Sequence, residues 1–411
     1  MKILYNTLIF HLLIQLLGCN PGKIKIGPAY SLGEVPTSIS EVESKQDPFI
    51  NGLKTEMRDL PGHDDLIFDS ERKIGFASGM DGWVWKLDRN TGKSEAWVKP
   101  PVNPAGMQFS DSKKEKILVC ASRLGGESYT EENRVGLYEI EISSRKIRPI
   151  LLDLPKIDKE EFEKVYATGE RPTLKLKDLG PSNSRSFSLC NDLAVSKDGE
   201  RIYITEPFER ENAAMGSGAV PEAIGLFPHG KLWVLDRKEG TVSLALSGFT
   251  FVDGILLEES NGEEKSVIFT ETSKFRIIRA FFSGKNQGKS EILFENLPGL
   301  ADGLERDDKG RIWTGIIKPR SKLVNFVHGN PWLKPFLLSL PQSILPIAKK
   351  TGILVIDSEG REPLYYHMHD GTRIKDISVA VPFEGRVYFP SFDKTSRGLF
   401  SLSMEEFHIE E

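Results

Sequence analysis

Beyond its first nineteen residues the chain has no apolar run of the ~18 residues that a membrane-spanning helix needs. Any attachment to a membrane is therefore expected at the N-terminus alone. Positive charge is not in excess: 54 Lys and Arg against 59 Asp and Glu leave a net charge of -5 and a pI near 5.9. That balance gives no electrostatic reason to bind nucleic acid. Cysteine is scarce, with three residues in 411. Cys120 and Cys190 each fall in an apolar strand pattern and read as two buried free thiols, although an exported chain would permit a disulfide between them. Long helices are disfavoured too, because 37 Gly and 24 Pro are scattered among short apolar runs and call for tight turns. What remains is 39% hydrophobic and 27% charged, ordinary for a soluble globular protein, and the length allows one large domain or two ordinary ones.

The first residues form a unit of their own. Lys2 supplies a positive charge, the stretch from Ile3 to Leu17 is apolar with few interruptions, and Leu16-Leu17-Gly18-Cys19 closes it. This ending resembles the lipobox of bacterial lipoproteins, so residues 1–18 are expected to be a signal peptide and Cys19 the lipidated first residue of the mature chain. Residues 19–45, rich in Gly, Pro, Ser and Lys, then read as a flexible tether. The expected location is that of an exported bacterial lipoprotein, on the periplasmic side or associated with the outer membrane.

From residue 46 to 411 one pattern recurs: a basic or polar residue, then β-branched and aromatic residues, then a small or acidic one. It runs through Lys73–Ser78, Lys116–Ala121, Arg201–Glu206, Ser266–Glu271, Arg311–Gly315 and Arg386–Ser391. Each copy is preceded by a short apolar strand and a turn such as Lys197-Asp198-Gly199, and is followed by another strand such as Lys231–Asp236 or Gly352–Asp357. Six such units predict an all-β chain folded as a six-bladed β-propeller, since a sandwich would not repeat six times. Longer insertions at 153–186, 207–230 and 318–350 are expected on one face. The last contains the apolar, Pro-punctuated run Pro331–Ala348, which reads either as a helix packed on the propeller or as a lid or membrane-facing cap.

The head of each unit's first strand is where a side chain can point into a central channel. There the sequence places His63-Asp64-Asp65, Asn191-Asp192, Val252-Asp253-Gly254 and Ala301-Asp302-Gly303. Singly, Asp-Gly and Asn-Asp are ordinary turn residues. At matching points of four units, Asp64, Asn191, Asp253 and Asp302 instead suggest an oxygen-only ligand set, which suits Ca2+ or another hard divalent cation better than zinc. Asp65 and Asp192 could support those ligands, hold a second cation, or bond strand-end backbone. His367 and His369 have a spacing that could bind metal but lack supporting ligands nearby in sequence.

Several motifs carry a family resemblance. Leu60-Pro61-Gly62-x-Asp64, Asn191-Asp192, Phe251-x-x-Gly254-Ile255-x-Leu257 ahead of Phe269–Arg279, and Glu295–Asp302 ahead of Trp313 resemble the strictosidine synthase-like propellers of the adipocyte plasma membrane-associated type. These are akin to the gluconolactonase (senescence marker protein) and paraoxonase families, and the likeness runs over roughly residues 50 to 404. It implies a channel Ca2+ and, in the hydrolase branches, lactonase or arylesterase activity. By motif, Asn191 and Asp302 match, Asp64 stands where Glu is usual, and Asp253 replaces the usual Asn. Pro104-Ala105-Gly106 lacks the His that paraoxonases carry there, and His367–Ser378 lacks the Glu of strictosidine synthases, so amine-aldehyde condensation is not expected.

The expectation is thus a metal-dependent hydrolase of lactones or of aryl and carboxylic esters. The cation would polarise a carbonyl while Asp253, or failing that Asp302, activates water. The alternative is a non-catalytic propeller lipoprotein that binds a ligand or partner on its upper face. The sequence leaves the substrate and the oligomeric state open.

Overall fold

A computed structural model describes residues 24–157, 162–340 and 348–409. Six small antiparallel sheets stand in a ring as the blades of a β-propeller. Blade 1 shows the plan: His63–Asp69 innermost, then Ile74–Gly79, Val84–Asp88 and Lys93–Val98 at the rim. The innermost strands of blades 2 to 6 are Asn103–Phe109, Leu193–Val195, Val252–Ser260, Gly299–Arg306 and Val381–Phe383. The sequence repeat marked the first three strands of each blade, while the fourth is more exposed in several blades, as in Lys93–Val98 with half of its residues at the surface.

The ring is closed by the two ends of the chain. Lys54–Pro61 pairs with Arg397–Ser403 and forms the rim strand of blade 6, whose other three strands come from the C-terminus. The apolar faces of neighbouring blades pack on one another, so the core is a set of wedges around the channel. One wedge, between blades 2 and 3, holds Leu118, Leu137, Leu193, Ile202 and Trp233.

Two expectations need correction. Cys120 and Cys190 are not free thiols but a disulfide, with their Cα atoms 5.1 Å apart. They are 70 residues apart in sequence, yet Cys120 lies on the second strand of blade 2 and Cys190 just ahead of the innermost strand of blade 3, and those blades are neighbours. Residues 24–45, taken as part of a flexible tether, are packed on the propeller. Composition hid a series of apolar residues: Ile24 and Ile26 join a cluster with Ile224 and Val327, and Leu32, Val35, Ile39 and Val42 pack against blades 4 and 5. The signal segment and Cys19 lie outside the described residues.

In an up-and-down blade, the head of the first strand and the link between the second and third strands lie at the same end. Insertions 207–230 and 318–350 are both such links, in blades 3 and 5, so the described residues of each stand over the channel mouth that carries the predicted ligands. They meet there. Helix Val220–Gly225 packs on Lys334–Ser339, Lys334 Nζ donates to the Gly225 carbonyl at 2.9 Å, and His328 Nε2 lies 3.2 Å from the Ala223 carbonyl. Insertion 153–186 takes another course, its short strands Lys164–Val165 and Thr173–Lys175 pairing with the rim strand Thr241–Phe249 of blade 3.

Candidate functional site

Asp64, Asn191, Asp253 and Asp302 sit at the heads of the innermost strands of blades 1, 3, 4 and 5 and turn toward the same channel. Asn191 Nδ2 donates to Asp253 Oδ1, Asp253 and Asp302 share a hydrogen bond, and Asp64 lies close enough to Asp253 and Asp302 for their charges to interact. The Asp-Gly pairs are strand residues rather than turns. A Cβ on Gly254 would fall 2.3 Å from the Asp302 carbonyl oxygen, and one on Gly106 2.7 Å from that of Asn191. Glycine is needed there because strand heads crowd as they converge on the axis.

Local bonds fix each ligand candidate in place. Ahead of Asn191, the Cys190 amide donates to Ser122 Oγ at 2.8 Å and that hydroxyl donates to the Cys190 carbonyl at 2.7 Å. The Asn191 carbonyl accepts from Gly106 N at 2.7 Å. Upstream, the fully buried Glu206 takes two bonds from Arg185, one from the Ser188 amide and one from Trp233 Nε1, so the approach to Asn191 is rigid. Thr272 Oγ1 reaches Asp253 Oδ2 at 3.4 Å.

The neighbouring acids do a different job. Asp65 Oδ2 accepts from Met107 N of blade 2 at 2.6 Å, and Asp192 Oδ2 from Ile255 N of blade 4 at 3.1 Å, while Oδ1 of each accepts from the next residue's amide. They staple one blade to the next, the backbone-bonding option of those the sequence left open. His63 is wholly buried, Nδ1 faces the Pro61 carbonyl at 3.0 Å, and burial lowers its pKa to about 4, so it is a neutral structural residue. His367 and His369 face the two oxygens of Asp47, at 3.2 and 2.7 Å, and bind the N-terminal segment to blade 5.

Sequence reasoning missed Glu305, Gln108 and Ser378, which line the channel with the acids. Glu305 is offset by a break in register between Ala301 and Leu304, which turns both it and Asp302 inward. A second acid three residues after Asp302 in the same inner strand was the available signal.

The channel is strongly biased toward protonation. The acids touch a narrow aqueous channel but are enclosed by protein, and burial is the leading cause of every shift. It raises Asp253 and Asp65 to about 6 and Glu305 to about 8, the last helped by the charge of Asp65. Asp64, Asp192 and Asp302 are raised well above the usual range by burial and then by neighbouring carboxylates. What opposes the rise is hydrogen bonding, from Asp302 and Thr272 to Asp253 and from the backbone of Met107, Leu66, Leu193 and Arg306 to the other acids, not the charge of an Arg or Lys side chain. A bond between Asp253 and Asp302 requires that they share a proton unless a cation replaces it.

Three carboxylates and a carboxamide make an oxygen-only donor set, which fits a hard divalent cation. Among the described residues no group of three His, Cys, Asp or Glu side chains already stands positioned to hold a metal ion. The fit therefore rests on donor chemistry and on the uncompensated charge. The void lined by Asp64, Asn191 and Asp302, with Asp253 behind Asn191 and Asp302, is about 30 Å³, room for an ion or a water or two but not for an organic substrate.

The sequence model of the SMP-30/Gluconolactonase/LRE-like region matches residues 76–328, more than half of the chain. The chain belongs to that family. The adipocyte plasma membrane-associated protein of Danio rerio is similar to the chain, 27% identical over 238 residues, 56% of each chain. The chain thus spans about half the length of that relative, whereas for the Rattus norvegicus protein it is 25% identical over 89% of this chain and 92% of the other. A strictosidine synthase-like protein of Arabidopsis thaliana is 25% identical over 39% of this chain and 41% of its own. In three dimensions a gluconolactonase of Xanthomonas campestris superimposes with a TM-score of 0.50 at 12% identity, covering 92% of this chain and 98% of that one. At that identity the SMP-30/gluconolactonase likeness in structure speaks for the fold alone.

Proposed function

We propose that the protein is a hydrolase of lactones or of aryl and carboxylic esters that works with a divalent cation, Ca2+ by donor chemistry, held by Asp64, Asn191, Asp253 and Asp302. The observation that carries this reading is the convergence of these four side chains from four blades, acids with raised pKa values and no positive side chain to balance them. Membership of the SMP-30/Gluconolactonase/LRE-like family supports the reaction class.

The bound cation would supply Lewis-acid polarisation of the substrate carbonyl. Asp253 accepts the proton of a water as that water attacks the carbonyl carbon, and its pKa of about 6 keeps it a base near neutral pH. It then returns the proton to the departing alkoxide or phenoxide oxygen, so that acid and alcohol, or from a lactone a single hydroxy acid, leave with the Asp253 carboxylate restored. Thr272 holds Oδ2 of Asp253 and leaves its position defined through both transfers. Asp302, hydrogen-bonded to Asp253, tunes that proton's affinity and is the second candidate for the base. We also propose that the chain is exported and held on the periplasmic or outer-membrane side by lipid on Cys19.

The test is hydrolysis of phenyl acetate and a panel of lactones, with added Ca2+, with EDTA, and with an Asn191→Ala control. Turnover that EDTA removes and Ca2+ restores is expected, with the control impaired. Tight cation binding without turnover of any substrate would favour the binding propeller instead.

A further inference from the structure

The cap over the channel mouth covers some of its apolar side chains and leaves others exposed. Val327, Leu337 and Leu338 are buried in a cluster with Ile224 and Ile24 of the N-terminal segment. From the same stretch Leu323 is 46% exposed, Phe326 61%, Trp332 73% and Phe336 41%. These four are half of the large apolar side chains exposed among the described residues, and they come from one stretch of two short helices, Lys322–Gly329 and Lys334–Ser339, and the turn between them. The stretch is ordered: Ser321 Oγ caps the first helix by accepting from Val324 N at 3.3 Å, Asn330 Nδ2 donates to the Phe326 carbonyl at 2.8 Å, and the buried Lys334 anchors the second helix.

Its charge is one-sided as well. From Lys318 to Lys350 the sequence holds Lys318, Arg320, Lys322, Lys334, Lys349 and Lys350 and no Asp or Glu, in a chain whose net charge is -5. Lys322, Lys349 and Lys350 are exposed. An exposed aromatic and aliphatic face with a basic border matches the surface of an anionic membrane, where rings sit at the headgroup level and Lys side chains meet lipid phosphates.

We propose that this face of the cap docks on an anionic lipid bilayer. The course of the chain favours lipid over a second copy of the protein. Ile24 is buried in the same cap cluster, and it follows Cys19 by five positions, a reach of at most ~17 Å even fully extended. An anchor at Cys19 would therefore enter the bilayer beside Leu323, Phe326, Trp332 and Phe336. The docking involves none of the channel acids and stands apart from the hydrolase reading.

Trp332 is a native reporter, because the other Trp residues are buried or half-buried. The full chain, extracted from membranes, is reconstituted at low density in phosphatidylglycerol-containing vesicles whose acyl chains carry bromine near the headgroup. Bromine quenching of Trp fluorescence is expected to be at least about twofold greater for the native protein than for Trp332→Phe. A Phe326→Ser variant, which keeps the reporter, should lose part of the quenching while its circular dichroism stays native. Equal quenching in the native protein and Trp332→Phe would overturn the proposal. So would shielding of Trp332 that fades as the protein is diluted within the vesicle, which would assign the face to a second copy of the chain.

Discussion

Asp253 stands between a carboxamide and a second carboxylate, with burial already raising its pKa to about 6. Such a carboxylate is useful and costly for the same reason: it holds charge that the fold does not neutralise. Asp253→Asn is therefore expected to lower kcat for ester hydrolysis by about 100-fold or more, since a positioned general base contributes on that order. The same change removes one member of a self-repelling cluster, so the variant should melt at a higher temperature than the native protein in EDTA above pH 7. Paired measurements of kcat and melting temperature check this, and full activity with cation still bound would move the base to another residue. Asp65 makes the contrast. It accepts from the Met107 and Leu66 amides, and an amide in its place leaves one bond unmade. Asp65→Asn should cost roughly 1–3 kcal/mol of stability and leave kcat within a few-fold, measured by denaturant titration beside the hydrolysis assay. The sequence marked both residues as channel acids but could not separate their tasks, because that depends on which strand of the next blade lies opposite.

At the scale of elements, the strand repeat was legible because each blade's second and third strands are apolar, short and bounded by turns. Less legible was the geometry at the strand heads. The register breaks between His63 and Leu66, Pro104 and Met107, Val252 and Ile255, and Ala301 and Leu304. A bulge re-aims side chains at the end of a strand, and alternation counted along the sequence has no sign of it. That is why Glu305 escaped notice. The disulfide escaped for a related reason, since two cysteines in apolar strand patterns look alike whether or not their blades are neighbours. Its role is open to measurement. Closing a loop of 70 residues stabilises by about 4 kcal/mol in the chain-entropy treatment, and Cys190 is also bonded to Ser122 directly ahead of Asn191. Replacing both cysteines by Ala should lower the melting temperature and also weaken cation binding several-fold. Calorimetric titration with Ca2+ reads the second effect, and unchanged affinity would show that Ser122 alone positions Asn191.

For the whole molecule, the ring closes through Lys54–Pro61 on blade 6, and Asp64 follows three residues later, its carbonyl accepting from Ser378 Oγ on the path into that blade. Ring closure and the candidate site are thus one arrangement, and an ion held by four blades would brace the entire circle. The pH dependence follows from the raised pKa values. Unfolded Asp and Glu titrate near 4, whereas the folded, cation-free channel keeps protons on Asp65 and Asp253 up to about 6 and on Glu305 up to about 8. Between those values the folded state binds more protons than the unfolded one, so stability falls as pH rises. The contribution is whole below about pH 4 and is lost as pH passes 6 and then 8. A cation bound as proposed would reverse the trend, because it would take the place of protons on Asp64, Asp253 and Asp302 and add about 2.7 kcal/mol at a hundredfold excess over its Kd. Scanning calorimetry at pH 5, 6, 7 and 8 should then show the melting temperature in EDTA declining across the series. The gap between Ca2+ and EDTA should widen over the same steps. A gap that stayed constant with pH would mean that the ion does not compete with these protons, and the channel acids would lose their place as its ligands.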